Sequence, residues 1–290
     1  MQTILILGFG YTASYLAPEL LHRGFEVIGT TRNNQKRMEF GHQNYHLIDF
    51  FDEEMAIYLR QATHVLISIP PEGSMGDPVM AHYGELIKLY GTNLKWLGYL
   101  SSTGVYGDFQ GEWVNEQSSC HPKGRQGQLR LAAERVWLSC AKEMNLPLHL
   151  FRLAGIYGPG RSAIERIRAG KPYSIYKVGQ YFSRIHVADI VEVVLASINA
   201  PNPMSIYNVA DDKPAPSHEV DAFAAFLLEK APPPLLPFEE AMLSPMEKEF
   251  YANNRRVSNE KIKIELKVNL NFPTYREGLA SIVAASKASF

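Results

Sequence analysis

The sequence predicts an α/β protein built on a parallel sheet with helices on both faces. Three observations carry this. Short, nearly unbroken apolar runs recur through the first 155 residues, helix-length segments separate them, and a glycine turn, GFG, follows the first run directly. Strands buried on both faces read as continuous apolar runs, and their alternation with helices is what a parallel sheet requires.

In chain order, strands are expected at TILILG (3–8), FEVIGTT (25–31), NYHLID (44–49), HVLISIP (64–70), LKWLGYLSS (94–102) and LHLFRLAG (148–155). The first connection, ASYLAPELLHRG, reads as a helix stopped by Gly24 after a basic turn, with Pro18 an interruption inside it. A stronger helix, QLRLAAERVWLSCAKEM, carries apolar residues at 129, 132, 133, 136 and 140. Beyond residue 155 the pattern changes. HVADIVEVVLASINA (186–200) reads as a helix, SIYNVAD (205–211) as a strand and SHEVDAFAAFLLEK as a helix. APPPLLPFEEAMLSP holds too many prolines for one regular element, and PPPLLP within it reads as a connector. Short elements and a last helix close the chain.

Bulk composition narrows the function classes. The 290 residues suffice for one large α/β unit or two modest domains, and 46 % hydrophobic with 20 % charged is ordinary for a soluble globule. Twenty-nine Lys plus Arg against 30 Asp plus Glu leave a net charge of −1, which gives no electrostatic case for nucleic acid or an anionic membrane. Two cysteines, Cys120 and Cys140, are too few for a disulfide scaffold and fit a reducing compartment. MQTILILGFGYTA lacks a basic n-region and reads as a strand rather than a signal peptide, and no apolar run is long enough to span a bilayer, so a cytoplasmic location is expected.

The sharpest motif is ILGFGYTA, a G-x-G-x-x-A turn between a strand and a helix. Gly8 permits the tight turn, Gly10 removes a Cβ that would block a pyrophosphate, and Ala13 lets helix and strand pack closely. With Tyr11 and Thr12 these residues form the expected phosphate-binding helix start of a Rossmann-type, doubly wound sheet; the alternative is a merely structural glycine turn. The second strand ends in TTRNNQKR, without the carboxylate that usually bonds an NAD ribose. Thr31 and Arg32 stand there instead, with Lys36 and Arg37 behind and Glu39 the first acid, which favours NADP over NAD. A solvated basic loop is the competing reading. Asp49, ending the third strand, either accepts from the adenine amine or caps the turn before FDEEM.

SSTGVYG (101–107) lies at the carboxyl end of the fifth strand, where a doubly wound sheet binds ligands. A hydroxyl there can orient a substrate oxygen, and a proton donor or acceptor must accompany it. ILGFGYTA, YLSSTGVYG, FRLAGIYGPGR and RIHVADI, in that order, resemble the extended short-chain dehydrogenase/reductase superfamily, and more narrowly its NAD(P)-dependent sugar-nucleotide epimerase/dehydratase group. The resemblance implies a Rossmann core at 1–155, a smaller substrate-binding part at 156–185 and 201–290, and a return to the core at 186–211. It implies hydride transfer at a sugar carbon, a nucleotide-sugar substrate, and a dimer formed through the exposed faces of the two long helices.

By the same resemblance Ser102 is the family's Ser/Thr, with Thr103 the runner-up. The Tyr-x-x-x-Lys pair falls on Gln126 and Arg130, a departure that matters chemically: a glutamine amide does not titrate, and arginine does not readily shuttle a proton. Arg130 is then expected to hold the nicotinamide ribose, or to pair with Glu134 one turn on. Tyr106, Tyr157 or a water chained through Ser102 would carry the proton; otherwise the protein binds a dinucleotide with little turnover. Tyr106 has a packing alternative, and Tyr157 is also expected near the nicotinamide. On the substrate side, Arg161 meets a phosphate or solvent, and Arg152 is an ion-pair candidate. Phe182 stands where an arginine for the pyrophosphate is expected, so that role passes to Arg184, two residues before His186. His186 and Asp189 are expected to fix the chain crossing. Arg255 and Arg256 either meet an anionic substrate or form a solvated rim.

No metal site is expected: the nine histidines are scattered, without H-E-x-x-H or C-x-x-C, and His42 with His46 need not share a face. Cys120–His121 is not a positioned nucleophile pair, and no G-x-S-x-G is present.

Overall fold

The computed structural model describes residues 2–33, 35, 45–73 and 75–288, so Lys36, Arg37, Glu39 and His42 lie outside the described residues. Strands are β1 (Gln2–Leu7), β2 (Phe25–Thr30), β3 (His46–Ile48), β4 (His64–Ile67), β5 (Trp96–Ser102), β6 (Trp113–Val114), β7 (Leu148–Leu153), β8 (Gly155–Tyr157), β9 (Ser174–Tyr176), β10 (Arg184–His186), β11 (Ser205–Val209), β12 (Leu235–Pro237) and β13 (Arg256–Val257).

Seven of these form the central parallel sheet, in the order β11-β7-β5-β4-β1-β2-β3. Ile4 in β1 faces Val27 on one side and His64 on the other. Strand order therefore reverses between β1 and β4, the position at which such sheets bind ligands. Residues Ile4 to Leu7 are fully buried, which is why β1 reads as an unbroken apolar run. Three two-stranded parallel sheets pair β8 with β10, β9 with β12 and β6 with β13.

The chain divides into two compact units. The first comprises Met1–Ser102, Arg125–Arg152 and Val193–Tyr207; the second comprises Thr103–Gly124, Leu153–Glu192 and Asn208–Phe290. The core of the first packs Leu5, Ile28, Val65 and Leu97 of the sheet against Tyr83 and Trp137 of its helices. A separate core in the second joins the helices Ala163–Arg168, Ser217–Leu227 and Tyr275–Ala288 through Ile164, Ala224 and Leu279.

The first helix runs unbroken from Tyr11 to His22 despite Pro18, and Gly24, at φ +79°, follows its end. Two expectations need correction. The helix Arg125–Met144 buries Ala133, Glu134, Trp137, Cys140 and Ala141, while Val136 is exposed. The apolar count misplaced this face because Glu134, a carboxylate, belongs to the buried side. LHLFRLAG is not one strand: β7 stops at Leu153, and Gly155 opens β8, its N–H donating to the Ser183 carbonyl. The proline-rich stretch breaks into β12, a 3₁₀ turn (Phe238–Glu240) and the helix Pro245–Tyr251. Among the described residues no helix is long and apolar enough to cross a membrane.

Candidate functional site

Gly8 and Gly10 have different reasons to be glycine. Gly8 adopts φ +106°, and a Cβ there would lie 2.7 Å from Ile69 Cγ1 and 2.9 Å from Ser68 Oγ. Its N–H donates to Thr30 Oγ1 (2.9 Å) and its carbonyl accepts from Ser68 Oγ (2.5 Å), so the turn is fastened to β2 and to the residue after β4. Gly10 is the N-cap of the first helix, at φ −97°, and a Cβ there would meet no protein atom within 4 Å. The protein's own packing does not require glycine at position 10, but a ligand approaching the helix N-terminus would. Tyr11 is half-buried with its ring against Tyr15, and Thr12 and Ala13 are buried beneath the turn.

A cavity of about 290 Å³ opens beside this turn at the carboxyl ends of β1 to β4, lined among others by Gly10, Thr31, Arg32, Phe50, Ser68 and His82. Arg32 is exposed and pairs loosely with Glu72 at 3.7 Å. The Thr31 N–H donates to the Ile48 carbonyl, and its hydroxyl accepts from the Asn33 N–H. Asp49 Oδ1 accepts from the Phe51 N–H, so one oxygen caps the turn, as its structural alternative anticipated. Phe50, Phe51, His82 and Tyr83 form an aromatic wall, with the Tyr83 hydroxyl donating to the Phe50 carbonyl. No group of three or more side chains that could hold a metal ion occurs among the described residues.

At the end of β5 the alternation of the strand separates Ser101 from Ser102. Ser101 is buried and donates to Glu134 Oε1 (2.5 Å), and Arg152 clamps the same carboxylate through Nε and Nη2, the latter at 2.8 Å. Glu134 is thus taken by Arg152, not by Arg130, and Arg152 is the ion-pair member. Ser102 is half-buried at the strand terminus. On the helix Arg125–Met144, Gln126 is exposed, and Arg130 four residues on donates through Nη1 to the Leu100 carbonyl (2.9 Å). Arg130 also lies near a buried group formed by Asp77, Tyr99 and Trp137. Burial raises the Asp77 carboxyl and the Tyr99 phenol above their ordinary values, and Asp77 Oδ1 caps the helix Pro78–Tyr90 at the Met80 N–H.

In the second unit, Thr103 and Tyr106 are buried in the 3₁₀ turn Thr103–Tyr106. The Tyr106 hydroxyl donates to Asn208 Oδ1 (2.7 Å), and the Asn208 N–H donates to Glu116. Tyr106 is fully buried, with its hydroxyl engaged in that bond. Arg255 donates to the Gly107 carbonyl, and burial lowers it to about 10; Arg256 donates to the Gly111 carbonyl and lies over Trp113. Each is half-buried, with one guanidinium nitrogen on a backbone carbonyl, so neither stands in a fully solvated rim.

A second cavity, of about 510 Å³, is lined by Tyr157, Arg161, Arg166, Lys171, Arg184 and a wall of aromatic residues. Tyr157 is buried against His186 with its hydroxyl directed to the Thr274 carbonyl (3.4 Å), and burial raises its phenol. Arg161 is exposed on the turn it closes with Gly158. Arg184 Nη1 donates to the carbonyls of Phe182 and Ala215, both at 2.8 Å. His186 accepts from the Ala188 N–H, burial lowering it to about 4, and Asp189 accepts from the Asn271 and Phe272 N–H groups, so both fasten the chain crossing. Arg166, Lys171 and the aromatic wall around Phe50 were not singled out from the sequence. Only the apolar run FF after Asp49 signalled the latter.

Residues 85–210 match the NAD dependent epimerase/dehydratase family. A search of curated proteins gives no match. Among solved structures, a functionally unknown conserved protein from Silicibacter pomeroyi DSS is 43 % identical, with 99 % of this chain and 100 % of that one covered and a TM-score of 0.92. The dTDP-glucose 4,6-dehydratase of Bacillus anthracis str. Ames, in complex with NAD, shares the fold at 19 % identity, TM-score 0.80, over 99 % and 97 % of the two chains. The UDP-glucuronic acid 4-epimerase of Bacillus cereus, also with NAD, does so at 16 % identity, TM-score 0.77, over the full length of both. The chain thus matches the NAD dependent epimerase/dehydratase family over residues 85–210, and over its whole length it resembles a solved protein of unknown function.

Proposed function

We propose that the protein is a nicotinamide-dinucleotide enzyme of the epimerase/dehydratase kind, acting by hydride transfer on a nucleotide sugar or a related hydroxyl or carbonyl compound. The observation that carries this is the open space at Gly10, at a helix N-terminus, beside the tightly packed Gly8. Gly8, Gly10, Tyr11, Thr12 and Ala13 would hold the pyrophosphate, and the cavity walled by Phe50 the adenosine. Thr31 and Arg32, with no carboxylate ending β2, favour a 2′-phosphate and hence NADP, although the two solved enzymes named above contain NAD. Asp49, at the end of β3, would accept from the adenine amine. The substrate would lie with Arg161, Arg184 and the tyrosines of the second cavity. Exposed Leu89 and Val136, on the helices Pro78–Tyr90 and Arg125–Met144, suit a homodimer.

The nicotinamide, when bound, supplies and takes back a hydride. Ser102 orients the reacting oxygen, assisted by Thr103, and Arg130 places positive charge at the ribose end. A water chained through Ser102 passes the proton, because the Tyr106 and Tyr157 hydroxyls are buried and engaged. A second reading, a dinucleotide-binding protein with little turnover, is favoured by Arg130 being anchored to the Leu100 carbonyl.

Exchange of label from deuterated NADPH or NADH, with the matching oxidised cofactor present to form the keto-sugar, into a panel of UDP- and dTDP-sugars decides between them. The enzyme reading expects slow exchange abolished by Ser102→Ala. The double variant Gln126→Tyr, Arg130→Lys should then raise exchange roughly 10²- to 10⁴-fold, the usual worth of a positioned general acid. Cofactor binding without exchange in either form establishes the second reading.

A further inference from the structure

The second cavity contains a charge arrangement that its architecture does not require. Asp221, on the helix Ser217–Leu227, has a fully buried carboxylate. Arg166 Nη2 reaches its Oδ1 at 3.2 Å, Lys171 Nζ its Oδ2 at 2.5 Å, and Ser174 Oγ donates to Oδ2 at 2.9 Å. Burial alone would raise this carboxyl, but Lys171, Arg166 and Ser174 hold it below its ordinary range. Arg166 lies in the last turn of a helix, Lys171 in a loop, and Ser174 begins β9, so separate pieces of chain converge on one acid.

One cation would neutralise Asp221 and tie the helices together. Two are present, and both line the cavity, with the Arg166 and Lys171 side chains 53 % and 24 % exposed. The set therefore presents one surplus positive charge to the cavity. Glu247, the acid lining the same cavity, accepts both the Ser244 N–H and hydroxyl in its helix cap and lies in the field of Lys171, and Arg161 and Arg184 on the same lining keep the balance positive. Arg184 has Nη1 committed to two backbone carbonyls. Phe182 stacks on Phe250 at 4.4 Å and 5°, so position 182 supplies a flat apolar wall rather than charge.

We infer that Arg166 and Lys171 form the anion-binding pair of this cavity, receiving the diphosphate of a nucleotide substrate, and that Asp221 is the positioning residue that holds both cations in place. The inference rests on the nucleotide-sugar reading proposed above and adds the residues that would recognise the charged group.

Titration calorimetry with UDP and with inorganic pyrophosphate, on the full chain, tests it. Arg166→Gln with Lys171→Met should weaken both probes by roughly tenfold or more, about one charge-assisted contact, while leaving the affinity for NADH unchanged. If far-UV circular dichroism shows that the double variant does not fold, the single variants, each of which leaves Asp221 one cation, replace it, with a smaller weakening of both probes expected. Asp221→Asn gives the sharper result. Coulomb's law alone says that removing a negative charge tightens anion binding, whereas a positioning role predicts weaker binding of both probes. NADH affinity and far-UV circular dichroism report whether that variant is folded; Ser174→Ala, which removes a single bond to the carboxylate, replaces it if not, with a smaller weakening expected. Tighter or unchanged binding in the position 221 or 174 variant overturns the positioning role. Unchanged binding in the double variant, with loss on Arg161→Gln, overturns the pair and leaves the nucleotide-sugar reading standing. A wild-type chain that binds NADH but neither probe overturns both.

Discussion

The two glycines of the first turn should fail in opposite ways. Replacing Gly8 by alanine puts a side chain at φ +106° and drives its Cβ to 2.7 Å from Ile69 Cγ1, 2.9 Å from Ser68 Oγ and 3.1 Å from the Ile69 backbone nitrogen. Left-handed strain costs about 1–3 kcal/mol and overpacking a similar amount, so Gly8→Ala should lose about 2–6 kcal/mol of stability. Gly10→Ala meets no atom within 4 Å at an ordinary φ. The reduced freedom of the unfolded chain gains about 0.4–1 kcal/mol, a poorer N-cap gives back a similar amount, and the net change should stay within about 0.5 kcal/mol. Its cost appears with ligand: a methyl group in the phosphate's space, at about 1–3 kcal/mol, weakens dinucleotide binding about 5- to 150-fold. Urea unfolding followed by tryptophan fluorescence, with NADH and NADPH titrations on each folded variant, separates the effects. A Gly10→Ala protein that binds both dinucleotides like wild type refutes the assignment of that space to a phosphate. A Gly8→Ala protein of wild-type stability refutes the packing argument.

Two further outcomes are expected. Removing one side of the buried Glu134–Arg152 pair, as in Arg152→Met, should cost about 3–5 kcal/mol in urea unfolding, because it strands a carboxylate that is 1 % exposed; a loss below about 1 kcal/mol would contradict the burial described. Acid and base should act with opposite signs on two sets of buried groups. Burial lowers His64, His149 and His186 to about 4, so unfolding takes up protons below pH 6.5 and stability falls as pH drops from 6.5 toward 4. Asp211 is raised by burial to about 8, so the folded state holds the extra proton and stability falls as pH climbs from about 4 to 8. Asp211→Asn should therefore gain stability over wild type at pH 8.5 relative to pH 6, and an equal difference at both pH values would contradict this.

Local sequence carried what local physics decides. β1, β4 and β5 were legible because strands buried almost from end to end read as continuous apolar runs, and the glycine turn because its backbone demand is written in two positions. The buried face of Arg125–Met144 was not, since Glu134 belongs inside only by virtue of Ser101, 33 residues back, and Arg152, 18 ahead. Tyr106 looked like a spare acid until its hydroxyl found Asn208, 102 residues on. Arg166 and Lys171 carried no signal because the acid that gathers them lies 55 and 50 residues downstream. Pairing across such distances has no period to read.

The strand order has a consequence for synthesis. After β3 closes one edge of the sheet, β4, β5, β7 and β11 add to the other side in the order in which the ribosome makes them. β4 finds its template in β1, and β5, β7 and β11 each in the sheet strand added just before. At about 5–20 residues per second, the 45 residues between Ser102 and Leu148 and the 51 between Leu153 and Ser205 each leave a newly formed edge waiting for roughly 2–10 s. The nascent chain is therefore most exposed to edge-to-edge association during these two intervals, and a chaperone that shields β5 and then β7 would act where the fold is open longest.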